Sequence, residues 1–350
     1  MAKINVRSPY FINLSTTNLT SAQLEIQIYF GVANTSWQSS PQYTLSSTAI
    51  DDKVNFEIAE LIKDYIQAKF DGGFPTTPAT DAEATTIFVD YRVTETINTT
   101  AQTPVDVLGE RAFYGYGYFE DGANPTFNNV FYLQTNNRIL KNINSTVTIP
   151  VDNTIATRVD WLYQLATVSS VVLTPETKIE NQISYITNTG NFNVDEVAII
   201  TSFKTLFVAI DSYEKCKYTP IKLTFINKYG AYQEIWMFAN SILSMATTEE
   251  RYKSNILTNG TYNTYDPQIK LLTKNANQTL TLNSDYYPES YNEIFRQLFL
   301  SEKVWIKYLG NTLGVNIENK QITYKTSLTD SLINYTIDVS FAFDTINNIR

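Results

Sequence analysis

No histidine occurs in this chain of 350 residues, and the one cysteine is Cys216. The first absence removes the commonest general base, the commonest metal ligand and the usual pH switch. Ser-His-Asp and Cys-His hydrolysis, His-ligated zinc and haem on an axial His therefore have no place within the chain. A lone Cys rules out an internal disulfide and a thiolate metal cluster. Basic charge is also short. Lys and Arg number 26 against 35 Asp and Glu, a net charge of −9, which argues against binding nucleic acid through a general basic surface. No stretch approaches the ~18 apolar residues of a membrane helix. The start, Met1 to Arg7, lacks the apolar core and cleavage site of a signal peptide. The expectation is a protein made and retained in a cytoplasm.

What is present points one way. Hydrophobic residues form 43% of the chain, enough to build packed cores. There are 24 Tyr and 19 Phe, and Asn with Thr makes up roughly a fifth of the residues, well above ordinary usage. Thr, Tyr, Phe, Ile and Val suit a pleated, half-buried surface, and Asn suits the turns between strands. Charged residues are only 17%, so neutral polar groups keep the surface wet. Eight Asn-x-Ser/Thr triplets, Asn13-Leu14-Ser15 among them, follow from that composition and carry no further meaning. The length suggests two or three domains, since one core rarely grows beyond ~250–300 residues.

Periodicity predicts a mainly β protein of multi-domain sandwich or barrel architecture with a few helices. Leu24, Ile26, Ile28 and Phe30 alternate with Gln23, Glu25, Gln27 and Tyr29, and Ile87, Val89, Tyr91 and Val93 form a second such run. Between them Ile58, Leu61, Ile62, Tyr65 and Ile66 share one helical face, which predicts a helix over 56–70 inserted in an N-terminal sandwich, residues 1–135. Short strands are expected at 146–150, 159–165, 171–174, 182–186, 197–200 and 206–210, making a small middle β domain over 136–215. The C-terminal β domain, 216–350, opens on a hairpin over 221–238 that turns at Asn227-Lys228-Tyr229-Gly230. A helix is predicted over 288–301, with Pro288 at its first position and an apolar stripe of Tyr291, Ile294, Phe295 and Leu298 packed on that domain. Strands follow at Val304, Ile306 and Tyr308, and at 334–343.

Without His, paired carboxylates are the remaining acid–base option. Glu120-Asp121 stand beside Tyr114, Tyr116 and Tyr118, the make-up of a sugar site with carboxylates next to aromatic platforms. As ordinary structure the same segment is a hairpin with its turn at Asp121-Gly122, and adjacent strand carboxylates face opposite ways. Asp51-Asp52 and Glu249-Glu250 are expected as solvated loop or helix-start charges. Gly115-Tyr116-Gly117 opens like a dinucleotide fingerprint but lacks the third Gly and the helix after it. No phosphate loop and no EF-hand loop is present. Lys215 and Lys217 would lower the thiol pKa of Cys216, although a lone Cys between domains is usually inert. The sequence thus nominates no catalytic, cofactor-binding or metal residue.

Three segments carry a family likeness. TPIKLTFINKYGAYQEIWMF (219–238), YYPESYNEIFRQLFLSEKVWI (286–306) and NYTIDVSFAFDTINNIR (334–350) resemble structural proteins of tailed bacteriophages. In style they are closest to the neck, ring and tail proteins of crAss-like phages, and SPYFINLS (8–15) shares the likeness. The resemblance implies a non-enzymatic virion protein without cofactor, assembled in the host bacterial cytoplasm, where disulfides are rare. It implies a symmetric ring on the tail axis near the portal, connecting portal or tail components. Its partners would be copies of itself and other neck, tail or portal proteins, with no membrane and with DNA at most passing through. A carbohydrate-binding receptor or adhesin module using Tyr116 and Tyr118 is the alternative. A glycan-cleaving enzyme with Glu120 as acid or base is a third reading. Adhesins and fibres usually carry repeats, and none is found here.

Overall fold

The computed structural model describes residues 3–74, 84–127, 130–173, 183–188, 193–214, 217–319, 321, 323 and 332–346. Strand forms 53% and helix 6%, so the fold is mainly β, with several sheets and few helices. Cys216 lies outside the described residues.

The N-terminal third contains β1 (Lys3–Asn5), β2 (Phe11–Ser15), β3 (Leu19–Tyr29), β4 (Tyr43–Thr48), β5 (Lys53–Glu57), helix α1 (Ala59–Lys63), β6 (Thr86–Ile97), β7 (Thr100–Ala101) and β8 (Val105–Phe113). Its main sheet runs β1-β8-β6-β3-β4, with β7 on β6, and β2 pairs with β5 apart from it. The two alternating runs meet in register, Leu24 opposite Val93, Ile26 opposite Tyr91 and Ile28 opposite Val89. The helix expected over 56–70 is reduced to Ala59–Lys63. Phe56 belongs instead to β5, opposite Ile12 of β2. Val54, Phe56 and Ile58 are all buried, so a period of two carries the chain up to the point where the helical face begins. Tertiary pairing overrides the helical pattern there. Asp51 and Asp52 hold the turn between β4 and β5 at φ of 50° and 62°, a left-handed conformation that Asp tolerates. They are exposed turn residues, in keeping with a solvated loop.

The middle third contains β9 (Arg138–Asn142), β10 (Thr148–Asp152), β11 (Ala156–Tyr163), β12 (Ala166–Val172), β13 (Ile183–Thr187), β14 (Glu196–Thr201) and β15 (Thr205–Tyr213). One sheet runs β12-β11-β14-β15-β9, and β10 pairs with β13. Ile149 and Val151 of the pair join Val159, Trp161, Val197, Ile199 and Val208 of the sheet in one buried cluster. Two findings differ from the sequence reading. Leu165 sits in the turn between β11 and β12 with φ of 66°, outside the strand. The strand expected at 146–150 begins later and runs on through Val151 and Asp152 as β10.

The C-terminal third contains β16 (Ile221–Ile226), β17 (Tyr232–Met237), β18 (Ser241–Lys253), β19 (Ile269–Asn283), β20 (Tyr287–Pro288), helix α2 (Asn292–Phe299), β21 (Val304–Tyr308), β22 (Asn311–Ile317), β23 (Leu332–Ile333) and β24 (Thr336–Phe341). The sheet order is β17-β16-β21-β22-β24-β19-β18. The hairpin expected over 221–238 is present, and the predicted 288–301 helix is a 3-10 turn over Glu289–Tyr291 followed by α2. Tyr291, Ile294, Phe295 and Leu298 are buried, as their spacing predicts.

The chain gathers into two compact units, each assembled from three segments. The first comprises residues 1–214, 224–235 and 293–301, and the second 215–223, 236–292 and 302–350. The turn between β16 and β17 and most of α2 thus group with the N-terminal and middle strands. Within that unit the Asn227 side chain organises the turn. Its Nδ2 donates to the Leu133 carbonyl at 2.6 Å, and its Oδ1 accepts from the Tyr229 and Ala231 N–H groups. Tyr116 N–H donates to the Lys228 carbonyl at 2.9 Å. A Cβ on Gly115 would stand 2.6 Å from that carbonyl oxygen, so only glycine lets the two backbones approach.

Candidate assembly surface

The carboxylate–tyrosine segment folds differently from either sequence reading. Residues 119–121 form a 3-10 turn, and the Asp121 carboxylate accepts the Tyr118 N–H at 2.8 Å. Gly122 leaves the turn at φ of 75°. There is no hairpin here, and Glu120 is exposed on the turn rather than on a strand. The tyrosines are occupied by the protein itself. Tyr114 and Tyr116 are buried, and the Arg7 guanidinium lies over the Tyr116 ring at 4.8 Å. Tyr118 donates its hydroxyl to Glu293 at 2.6 Å, with the Arg296 guanidinium 3.7 Å above its ring and the Lys228 ammonium at 5.0 Å. Burial pushes the Tyr116 hydroxyl up to about 12. Burial, with the hydrogen bond to Glu293, raises Tyr118 further still. Both stay neutral in any working pH range, and the Arg296 guanidinium over Tyr118 ties α2 to the turn at 119–121.

A second charged group is wholly internal. Asp152, at the end of β10, accepts from Lys3 at 2.6 Å and Arg111 at 3.2 Å. Its Oδ1 also takes the Thr154 N–H and hydroxyl. Lys3 donates further to the Phe127 and Val130 carbonyls. Burial favours the neutral acid at Asp152, but Arg111 and Lys3 outweigh it and hold the carboxyl below its usual value. Burial lowers the Lys3 ammonium. This triad joins β1 and β8 to β10. With every group inside, it is a structural lock.

A long exposed surface lies elsewhere, on the hairpin of β18 and β19. The two strands pair from Ser241 opposite Leu282 to Lys253 opposite Ile269, with Leu272 as the extra residue of a bulge between the Glu250–Thr273 and Arg251–Leu271 pairs. All thirteen residues of β18 are exposed. It is the end strand of the seven-stranded sheet, so its outer backbone groups meet no strand among the described residues. An alternating strand normally buries one face. This one buries neither, yet it is apolar on both. Cross-strand register places Leu243 and Met245 on one face and Ile242 and Ala246 on the other. Beyond the bulge Leu271 and Ile269 lie opposite Arg251 and Lys253, and Tyr252 lies opposite Lys270. The loop beyond, 254–268, turns at Asn259-Gly260 with both residues at positive φ and presents Leu257, Tyr262 and Tyr265, the last 83% exposed. Glu249 and Glu250 stand in β18, not in a loop or a helix start. Glu249 pairs with Arg251 and, across the ladder, with Lys274 at 3.9 Å.

The sequence reading passed over this hairpin because residues 241–283 show no clean alternation. Apolar residues on both faces of a strand blur the period of two, and that blur was the available signal. Among the described residues, no group of three Asp, Glu, Cys or His is placed to hold a metal ion, and no helix is long and apolar enough to cross a membrane. No family model, curated protein or solved structure matches the chain.

Proposed function

We propose that the chain is a non-enzymatic structural protein of a tailed-phage virion, forming a symmetric ring in the neck or tail and linking portal or tail components. The observation that carries this reading is the β18–β19 hairpin, a long edge strand exposed on both faces. A lone soluble domain blunts such an edge or covers it. Here apolar side chains, including Ile242, Leu243, Met245, Tyr252, Leu271 and Leu272, stay in water, each worth on the order of 1 kcal/mol when covered. A two-stranded ribbon is marginal by itself, so a protein that keeps one this long gains from a partner that completes it. The phage placement rests on the likeness of the three C-terminal segments. In a virion the net charge of −9 suits a collar that passes DNA without retaining it.

Mass spectrometry of purified virions, combined with light-scattering size measurement of the isolated chain, tests the reading. A virion component that sizes as a multimer is expected. A chain that is absent from virions and monomeric at high concentration contradicts it.

A further inference from the structure

We propose that Asn259 is a site of self-modification, at which the Gly260 backbone nitrogen attacks the Asn259 side chain and converts it to aspartate and isoaspartate. The inference is independent of the ring reading above.

Asn259-Gly260 is the one Asn-Gly pair in the chain. It makes a two-residue turn within the loop 254–268, with Asn259 at φ of 51° and Gly260 at 79°. Thr258 and Thr261 close the turn by exchanging backbone hydrogen bonds of 2.9 Å and 3.1 Å. Both central residues are exposed. No hydrogen bond among the described residues engages the Asn259 side-chain amide or the Gly260 N–H. Apart from its chain neighbours, nothing stands within 4 Å of where a Cβ on Gly260 would lie, so the backbone there is uncrowded. Glycine also leaves that backbone free to rotate into the attacking geometry once the turn opens.

The step balances with water as its only co-reactant. The Gly260 nitrogen bonds to the Asn259 Cγ and gives up its proton, and the side-chain nitrogen leaves as ammonia. Water then opens the cyclic imide at either of its carbonyl carbons. One opening leaves aspartate. The other leaves isoaspartate, in which the main chain runs through the side chain and is one carbon longer. Either product adds one negative charge to a loop that also presents Leu257, Tyr262 and Tyr265. The structure separates this pair from its rivals. Asp71-Gly72 and Asp121-Gly122 start from carboxylates, which are poor electrophiles. Each carboxylate is also already an acceptor, of the Gly73 N–H at 2.8 Å and of the Tyr118 N–H at 2.8 Å. In the same loop Asn255 accepts the Leu257 N–H at 3.0 Å and precedes Ile256, and Asn263 precedes Thr264. Those β-branched side chains crowd the nitrogen that would attack.

Purified full-length chain held in warm neutral buffer tests this, sampled over time by peptide mapping with mass spectrometry. Cleavage after Lys253 and Lys270 releases one peptide that holds Asn255, Asn259 and Asn263. Fragmentation of that peptide is expected to place the change from amide to acid at Asn259, at least about tenfold ahead of Asn255 and Asn263, with isoaspartate among the products. The first acidic form of the intact chain on charge separation is expected to be absent from Asn259→Gln, whose longer side chain closes a larger ring slowly. That variant should keep the circular dichroism spectrum of the unaltered chain. The same peptide, synthesised free, serves as the clock. If it converts while the folded chain keeps all three amides, the turn protects the pair and the site is overturned. Conversion of Asn255 or Asn263 at the rate of Asn259 overturns it too, as does an acidic form that persists in Asn259→Gln.

Discussion

Asp152 balances two buried cations with one carboxylate, and that arithmetic sets what substitution does. Asp152→Ala leaves Lys3 and Arg111 buried without their counter-charge, a loss of about 3–5 kcal/mol, seen as a lower urea midpoint. The pH dependence has a definite sign. The Asp152 carboxyl is held below its unfolded value, so its stabilisation is complete above about pH 4 and is lost as pH falls through the folded pKa. The stability gap between the native chain and Asp152→Ala should therefore narrow in acid. Lys3 is lowered by burial, so the cost of keeping it charged is relieved as pH rises through its folded pKa. Gly115 is constrained by contact instead. With a Cβ 2.6 Å from the Lys228 carbonyl, Gly115→Ala must move one backbone, at a cost of about 2 kcal/mol or more. A lower melting temperature checks this, and an unchanged one would show that the turn does not need the close approach. The sequence reveals neither role. Asp152 is one acid among 35 acidic residues, and its partners lie at sequence separations that spacing does not reveal.

At the scale of elements, strands with one covered face were legible. β3 and β6 alternate because one side of each is buried, and β16 and β17 surround a turn that ends in Gly230 at φ of 75°. The short α1 was overestimated because the apolar residues of β5 run directly into its buried face. The β18–β19 hairpin was missed for the opposite reason, since a strand covered on neither face has no pattern to detect. That exposure also yields a prediction. Tyr252→Ser with Leu272→Ser removes side chains that are 45% and 64% exposed, so the monomer's stability should change by less than about 0.5 kcal/mol. Association between chains should weaken at the same time. Equal losses in both measurements would mean that the hairpin is packed within one chain. For α2, Tyr118→Phe deletes the hydroxyl that Glu293 accepts and should cost about 1–2 kcal/mol, read from thermal unfolding.

For the whole molecule, the mainly β class followed from composition, because Thr, Tyr, Phe, Ile and Val outweigh what helices favour. The grouping of segments did not. The chain passes between its two units repeatedly, and Asn227, whose side chain organises the β16–β17 turn within the first unit, looks in sequence like any other turn residue. On function the sequence offers a likeness and a set of exclusions, and the exposed hairpin adds a physical reason to expect a partner. Electron microscopy of the purified full-length chain at increasing concentration tests the central claim most directly. Closed rings of uniform size are the predicted result. Single particles of monomer size at every concentration would contradict it.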